Sequence, residues 1–321
     1  MKGRFAPSPT GALHLGNMRT ALVAWLFARA AGSEFALRVD DLDAAVSTRA
    51  HEAGQLADLA ALGLDWDGPV VRQSERREAH DAAIDQLHTQ GLTYPCYCTR
   101  REIQAASSAP NGPGTEGTYP GTCRDLDASG RARHEAEGRP PALRLRADGD
   151  EVTVHDRLAG ACTMVVDDVV LRRNDGTPAY NLAVVVDDAA QGVEEVVRGD
   201  DLLSSSPRQV HLARLLGLPV PAYAHVPLAL APDGSRLAKR HGSVTLADRA
   251  ALGESAFDVR DRLACSLGLG PDLGLGLGLG EPGEHVSLAV LVARFDPALI
   301  DHRPWVLDAS APTGPLRLPP G

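Results

Sequence analysis

The stretch Gly3-Arg4-Phe5-Ala6-Pro7-Ser8-Pro9-Thr10-Gly11-Ala12-Leu13-His14-Leu15-Gly16-Asn17 leaves this chain few architectures. A strand-like run, Arg4 to Ala6, enters a turn built on Pro7, Pro9 and Gly11. After Asn17 the residues Met18, Ala21, Leu22, Trp25, Leu26 and Ala28 fall at helical spacing. A turn that feeds a helix N-terminus offers free backbone N–H groups and a positive dipole end, which suits a phosphate. His14 adds a side-chain donor just before that helix. Gly16 lets a flat ligand approach the backbone, because no Cβ intervenes. His-x-Gly-x alone would be an ordinary turn with a stray histidine; the specificity lies in the full stretch.

The pattern then repeats. A second strand ends at Asp40. Thr48 to Leu62 has helical spacing and stops at Gly63, and Ser74 to Gln90 is an amphipathic helix stopping at Gly91. Strand, helix, strand, helix is the order of a parallel sheet covered by helices. From Tyr94 to about Leu158 the chain changes character and reads as an insertion into that sheet domain. A β-rich run follows over Met164 to Leu171, with a hairpin turn at Asp175-Gly176. Tyr180 to Val186 is apolar and rich in valine. Val193 to Arg198 is a further strand, and Pro207 to Leu216 a helix ended by Gly217. Helices are expected over Leu246–Leu252, Ala256–Leu267 and Ser287–Val292, with a flexible Gly-Leu loop at 268–280. The tail carrying Trp305 and Leu307 is expected to pack back onto the body.

Bulk properties narrow the functional classes. A chain of 321 residues holds two or three compact units. No apolar run is long enough for a bilayer, and Arg4 and Pro7 interrupt any secretory leader, so no membrane and a cytoplasmic location are expected. A net charge of −10 argues against a general nucleic-acid coat, while leaving room for one RNA gripped by a local basic patch. Five cysteines in a cytosolic chain do not suggest disulfides; their spacing is the feature to examine.

Three constellations carry chemistry. The first is the basic loop Ser235-Arg236-Leu237-Ala238-Lys239-Arg240-His241-Gly242-Ser243, which can close over a polyphosphate and neutralise charge as pyrophosphate leaves. The second is a set of residues at strand ends. Arg4 and Arg198 are planar cations able to bind a substrate carboxylate in a bidentate manner, Asp40 can accept from an ammonium, and Tyr180 offers a hydroxyl and a ring wall. Each alone is more often structural; Arg198, for one, could simply pair with Asp200. The third is Cys96-x-Cys98 with Cys123, three thiolates that suit tetrahedral Zn²⁺. Chemistry alone favours His134 or water for the fourth place over the hydroxyl of Tyr119.

The N-terminal stretch resembles the nucleotide-binding signature of class I glutamyl-tRNA synthetases. Leu37-Arg38-Val39-Asp40-Asp41-Leu42-Asp43 resembles that family's Arg-Ile-Glu-Asp-Thr-Asp, with Asp40 where Glu is usual. The basic loop resembles its Lys-Leu-Ser-Lys-Arg-His-Gly segment, with Arg236 for the first Lys and Ala238 for Ser. Tyr94 to Arg100 and Thr118 to Arg124 are similar to the zinc segment of glutamyl-Q tRNA(Asp) synthetases. The resemblance implies an α/β protein: a Rossmann-like parallel-sheet catalytic domain, a zinc-bearing insertion and a small helical C-terminal part. The expected boundaries are 1–93 and 161–217 for the catalytic halves, 94–160 for the insertion and 218–321 for the basic loop and helical part. It implies that Arg4, Ala6, Ser8, Asp40, Tyr180 and Arg198 bind L-glutamate. It implies that His14, Gly16, Asn17 and Lys239 bind ATP with Mg²⁺, with His14 and Lys239 catalytic. By resemblance the structural Zn²⁺ takes Tyr119 beside Cys96, Cys98 and Cys123. From the short stretch after the basic loop, no anticodon-reading domain is expected. The implied reaction makes glutamyl-adenylate and transfers glutamate to queuosine in the anticodon of tRNA(Asp), in a monomer. A short conventional glutamyl- or glutaminyl-tRNA synthetase and a non-catalytic paralogue are the alternatives.

Overall fold

The computed structural model describes residues 1–107, 119–237, 244–269 and 285–307. Lys239 and the rest of 238–243, most of the Gly-Leu stretch (270–284), the loop 108–118 and the tail beyond 307 lie outside the described residues. In chain order the elements are β1 (Gly3–Phe5), α1 (Leu15–Ala30), β2 (Phe35–Val39), α2 (Arg49–Ala61), β3 (Val71–Arg72), α3 (Arg77–Thr89), β4 (Thr93–Cys96), α4 (Arg100–Ser107), α5 (Ala128–Ala136), β5 (Ala142–Leu145), β6 (Glu151–Asp156), β7 (Gly160–Val165) and β8 (Val170–Arg172). The second half adds α6 (Tyr180–Ala190), β9 (Glu195–Gly199), α7 (Ser206–Leu216), β10 (Ala222–Val226), β11 (Ala229–Leu230), α8 (Leu246–Ala251), α9 (Ala256–Cys265), α10 (Leu288–Arg294) and β12 (Trp305–Val306).

The fold is α/β with a Rossmann-like parallel sheet. β1, β2 and β3 are parallel neighbours, as are β9 and β10. The two sets meet at Lys2, whose carbonyl accepts from Glu194 N–H at 2.9 Å and Glu195 N–H at 3.1 Å. All five residues of β2 are buried, as expected for a strand covered on both faces.

Helix α1 differs from the expected single apolar face: every residue from Ala21 to Ala28 is buried. It is clasped between the sheet and the C-terminal helices α9 and α10, and a helix apolar all round belongs in a core. Its buried cation, Arg19, donates to the Pro227 carbonyl at 2.6 Å and to Ser266 Oγ at 3.0 Å. The valine-rich run from Tyr180 is the start of helix α6, where Leu182, Ala183 and the three valines pack inward. The tail returns as expected: β12 pairs with β11, Leu307 is buried, and Phe295 packs edge-on to Phe27.

The segment after Tyr94 holds an antiparallel sheet, β4-β5-β8, with its own small cluster of Tyr94, Cys96, Tyr97, Tyr119 and Cys123. The hairpin β6–β7 departs from that sheet and pairs with β10 instead. The expected boundary at residue 160 therefore falls at the first residue of β7, inside a hairpin of the main sheet. The Asp175-Gly176 turn forms as read, with Gly176 at φ +85° and Arg173 N–H donating to the Thr177 carbonyl at 2.8 Å.

Candidate active site

A cavity of about 710 Å³ opens where β1, β9 and β10 end, the position at which open α/β sheets bind ligands. Arg4, Ala6, Ser8, His14, Gly16, Asn17, Asp40, Tyr180 and Arg198, expected from widely separated stretches, all line it. The turn from β1 is pinned from outside, because Gln55 on α2 donates to the carbonyls of Ser8 at 3.0 Å and Gly11 at 2.8 Å.

His14 is the N-cap of α1. Its Nδ1 accepts the Asn17 N–H at 3.2 Å, and Asn17 Oδ1 accepts the His14 N–H at 3.3 Å, which closes a reciprocal capping box. Nδ1 is thereby an acceptor, so the neutral ring carries its proton on Nε2. Burial pushes the histidine below its ordinary value and favours that neutral form. Gly16 has a reason beyond ligand approach: a Cβ there would sit 3.0 Å from the His14 ring and 3.2 Å from Ala229 Cβ. The glycine makes room for the histidine itself.

The two candidate arginines have opposite surroundings. Arg4 is buried and bonded to Asp188 on α6, at 3.2 Å through Nε and 3.4 Å through Nη2. Asp188 also takes Arg38 Nη1 at 2.5 Å, and Arg38 Nε holds Asp40 at 2.7 Å. Arg4, Asp188, Arg38 and Asp40 thus form a buried set of two cations and two anions. Burial raises the Asp188 carboxyl, but Arg4 and Arg38 more than offset it and hold the group below the usual carboxylate range. Burial prevails at Asp40, whose pKa is raised despite Arg38. Arg198 has only neutral partners: the Leu202 carbonyl at 3.2 Å, Ser206 Oγ at 2.9 Å, His225 Nε2 at 3.0 Å and the Tyr180 hydroxyl at 3.5 Å. Asp200 is not a partner, and no carboxylate of the described residues forms an ion pair with it. An arginine 5 % exposed and without an acidic partner among the described residues has charge available for an anionic ligand.

The described start of the basic segment reaches this cavity. Leu237 and Arg236 line it, with Arg236 paired to Asp201 at 3.0 Å. On the other side Val244 is buried, its carbonyl accepting the Leu15 N–H at 2.8 Å beside the His14–Thr245 bridge. A second cavity, about 1200 Å³, shares Ser8, Asp40 and Tyr180 with the first and runs toward the cysteine cluster, past Arg100, Arg139 and Arg173.

The sulfurs of Cys96, Cys98 and Cys123 lie within 4.8 Å of one another and can hold a metal ion. The Tyr119 hydroxyl sits 3.3 Å from the Cys96 sulfur and 3.8 Å from that of Cys98, and it accepts the Cys123 N–H at 2.8 Å. The guanidinium of Arg144 lies over the Tyr119 ring at 3.7 Å. A hydrogen bond from Cys98 holds Cys96 below the ordinary thiol range. His134 points elsewhere, stacked on Tyr97 at 5.0 Å with Nδ1 3.6 Å from Glu137. Of the expected fourth ligands, the tyrosine oxygen is the protein group at the cluster.

The profile of the family described as "tRNA synthetases class I (E and Q), catalytic domain" matches residues 1–257. The chain belongs to this family. As an E/Q-type synthetase it is an enzyme, and its relatives locate it further. It is 59 % identical to "Glutamyl-Q tRNA(Asp) synthetase" of Nocardia farcinica, over 99 % of this chain and 96 % of that protein. It is 40 % identical to "Glutamate--tRNA ligase 1" of Halorhodospira halophila, over 98 % of this chain and 72 % of that one. The crystal structure of a glutamate tRNA ligase from Elizabethkingia meningosepticum in complex with its amino acid superposes with a TM-score of 0.73 at 27 % identity, covering 94 % of this chain and 66 % of that chain. The chain thus spans about two thirds of that ligase. No helix among the described residues is long and apolar enough to cross a membrane.

Sequence reading missed four groups of this synthetase site: Arg38, Asp188, Gln55 and His225. The Arg38 signal was present, a cation in a strand of otherwise apolar residues, where burial demands a counter-charge.

Proposed function

We propose that this chain activates L-glutamate with ATP and passes the glutamyl group to the queuosine base in the anticodon of tRNA(Asp). The observation that carries the first half is the unpaired Arg198 in a cavity that also holds the His14 cap and Asp40. Arg198 and Tyr180 take the side-chain carboxylate; Ser8 and the Asp40 oxygen that Arg38 does not hold take the ammonium; Arg4, whose Nε and Nη2 are both on Asp188, is the wall that holds the pocket's shape. The amino acid's α-carboxylate attacks the α-phosphorus of ATP, a P–O bond forms, and the bond to pyrophosphate breaks. His14 Nε2–H and the N-terminus of α1 hold phosphate, and Lys239 stabilises the leaving charge. Mg²⁺ brought in with ATP would neutralise charge on the phosphates that His14 and the N-terminus of α1 hold. The queuosine hydroxyl then attacks the adenylate carbonyl, and AMP leaves. The larger cavity gives a nucleoside its route to the adenylate, past cations suited to RNA phosphates. Relatives of the same span bear that activity in their names, which favours this acceptor over a tRNA 3′ end. Cys96, Cys98, Cys123 and Tyr119 hold a structural Zn²⁺.

Glutamate-dependent ATP–pyrophosphate exchange tests the activation half. Exchange is expected with glutamate alone. In Lys239→Ala its kcat falls by roughly 100-fold while the KM for glutamate changes little, because the loop acts on the transition state. Equal loss of rate and of glutamate affinity contradicts the role given to Lys239.

A further inference from the structure

Arg198 enters the cavity without an acidic partner, so something other than an ion pair fixes its guanidinium. Next to it stands His225 on β10, 1 % exposed and unused by the chemistry above. The strands are parallel and in register, with His225 directly beside Arg198. Arg198 Nε–H donates to His225 Nε2 at 3.0 Å. An imidazole nitrogen accepts only when it carries no proton, so the ring's proton is on Nδ1. Nδ1 lies 2.6 Å from Oδ2 of Asp156, the last residue of β6. The other oxygen, Oδ1, is occupied by the N–H groups of Leu158, Ala159 and His225, at 2.9, 2.8 and 3.0 Å. Asp156 therefore imposes the tautomer that Arg198 needs, as carboxylates do for imidazoles elsewhere. Ser206 completes the cradle, its Oγ accepting Arg198 Nη2–H at 2.9 Å and lying 3.3 Å from His225 Nε2.

We infer that Asp156 and His225 are positioning residues that aim Arg198 at the substrate carboxylate through a neutral imidazole, and that protonation of His225 disengages Arg198. The inference rests on the reading of Arg198 as the glutamate anchor. The charged and titratable groups around the ring are Asp156 from β6, Arg198 from β9, Asp200 from the turn after β9, and Tyr223, stacked at 6.0 Å on the same strand. A protonated ring would present N–H to the N–H of a guanidinium, so the bond that aims Arg198 is lost. Burial, with Arg198 adding to it, keeps His225 below the usual histidine value, against the pull of Asp156. The ring is neutral at pH 7, and the switch works on the acid side of about 6.5.

The test is glutamate-dependent ATP–pyrophosphate exchange across pH for the unsubstituted protein and three variants. His225→Leu is expected to raise the KM for glutamate about tenfold or more, with the KM for ATP unchanged, because a hydrogen bond to a charged group is lost. His225→Gln supplies an acceptor oxygen that does not titrate. It recovers most of the affinity lost in the leucine variant and lacks the rise in KM that the unsubstituted protein shows on acidification. Asp156→Asn is nearly isosteric, yet its amide donates to Nδ1 and forces the proton onto Nε2; it is expected to behave like the leucine variant. If the leucine variant fails to fold, the asparagine and glutamine variants decide alone. A parallel rise in both KM values, or one pH profile shared by the unsubstituted protein and His225→Gln, overturns the inference. Glutamate-dependent exchange with unaltered KM in the variants overturns it alone, while no such exchange in the unsubstituted protein overturns the function proposed above and this inference with it.

Discussion

Arg198→Gln is expected to lower kcat/KM for glutamate by about 100-fold or more, while the folded structure survives. The reasoning turns on which arginine has a charge to spare. Arg4 is committed to Asp188, which it shares with Arg38, and a cation in an intact buried pair has little left for a ligand. Arg198 is bonded to hydroxyl, carbonyl and imidazole groups, all neutral. In the proposed complex a glutamate carboxylate completes its charge, so the pair would form only when substrate binds. Glutamine keeps part of the bonding to Ser206 and the Leu202 carbonyl but offers no charge. The same asymmetry predicts that Arg4→Gln registers first in stability, because it leaves the buried Asp188 carboxylate with one cation instead of two. Steady-state exchange kinetics alongside urea denaturation separate the two. A variant at Arg198 that loses stability but binds glutamate normally would reverse the assignment.

Removing the proposed Zn²⁺ is expected to have the second large effect. Among the described residues the insertion's knuckle buries Tyr94, Cys96, Tyr97, Tyr119 and Cys123 in its cluster, too small a core to order itself. Zinc ligation contributes about 10 kcal/mol or more in apparent terms to small domains built this way. Chelation, or Cys123→Ser, is therefore expected to lower the melting temperature of the insertion and loosen the segments holding Cys96–Cys98 and Tyr119–Cys123. ATP and glutamate binding persist, since their cavity is built on β1, α1, β9 and β10. Differential scanning calorimetry with and without chelator, with metal analysis of the eluted protein, makes the comparison. An unchanged thermogram contradicts the metal assignment.

What sequence spacing made legible was local. The Gly3–Asn17 strand–turn–helix follows from prolines, glycines and 3.6-residue periodicity within one stretch, and the structure places its His14 at the N-cap. The cysteine cluster was legible for the same reason, since two of its sulfurs are two residues apart. The choice between Tyr119 and His134 was not, because it depends on which face of α5 meets Tyr97. What stayed hidden is set by pairing across the chain. Asp188 meets Arg4 from 184 residues away, and His225 meets Asp156 from 69 residues away. The β6–β7 hairpin alternates as any hairpin does; nothing local says that it joins β10 rather than β5. The all-round burial of α1 is imposed by α9 and α10, which arrive more than 200 residues later.

The proposed acceptor of the activated glutamate is queuosine in the anticodon of tRNA(Asp). The direct measurement is transfer of labelled glutamate, with ATP, to tRNA(Asp) with and without queuosine and to tRNA(Glu), each before and after periodate, which cleaves free cis-diols. Label is expected on the queuosine-containing tRNA only, lost when that tRNA is oxidised beforehand. Label on the 3′ end of tRNA(Glu), independent of queuosine, would contradict it and make the chain a short glutamate–tRNA ligase.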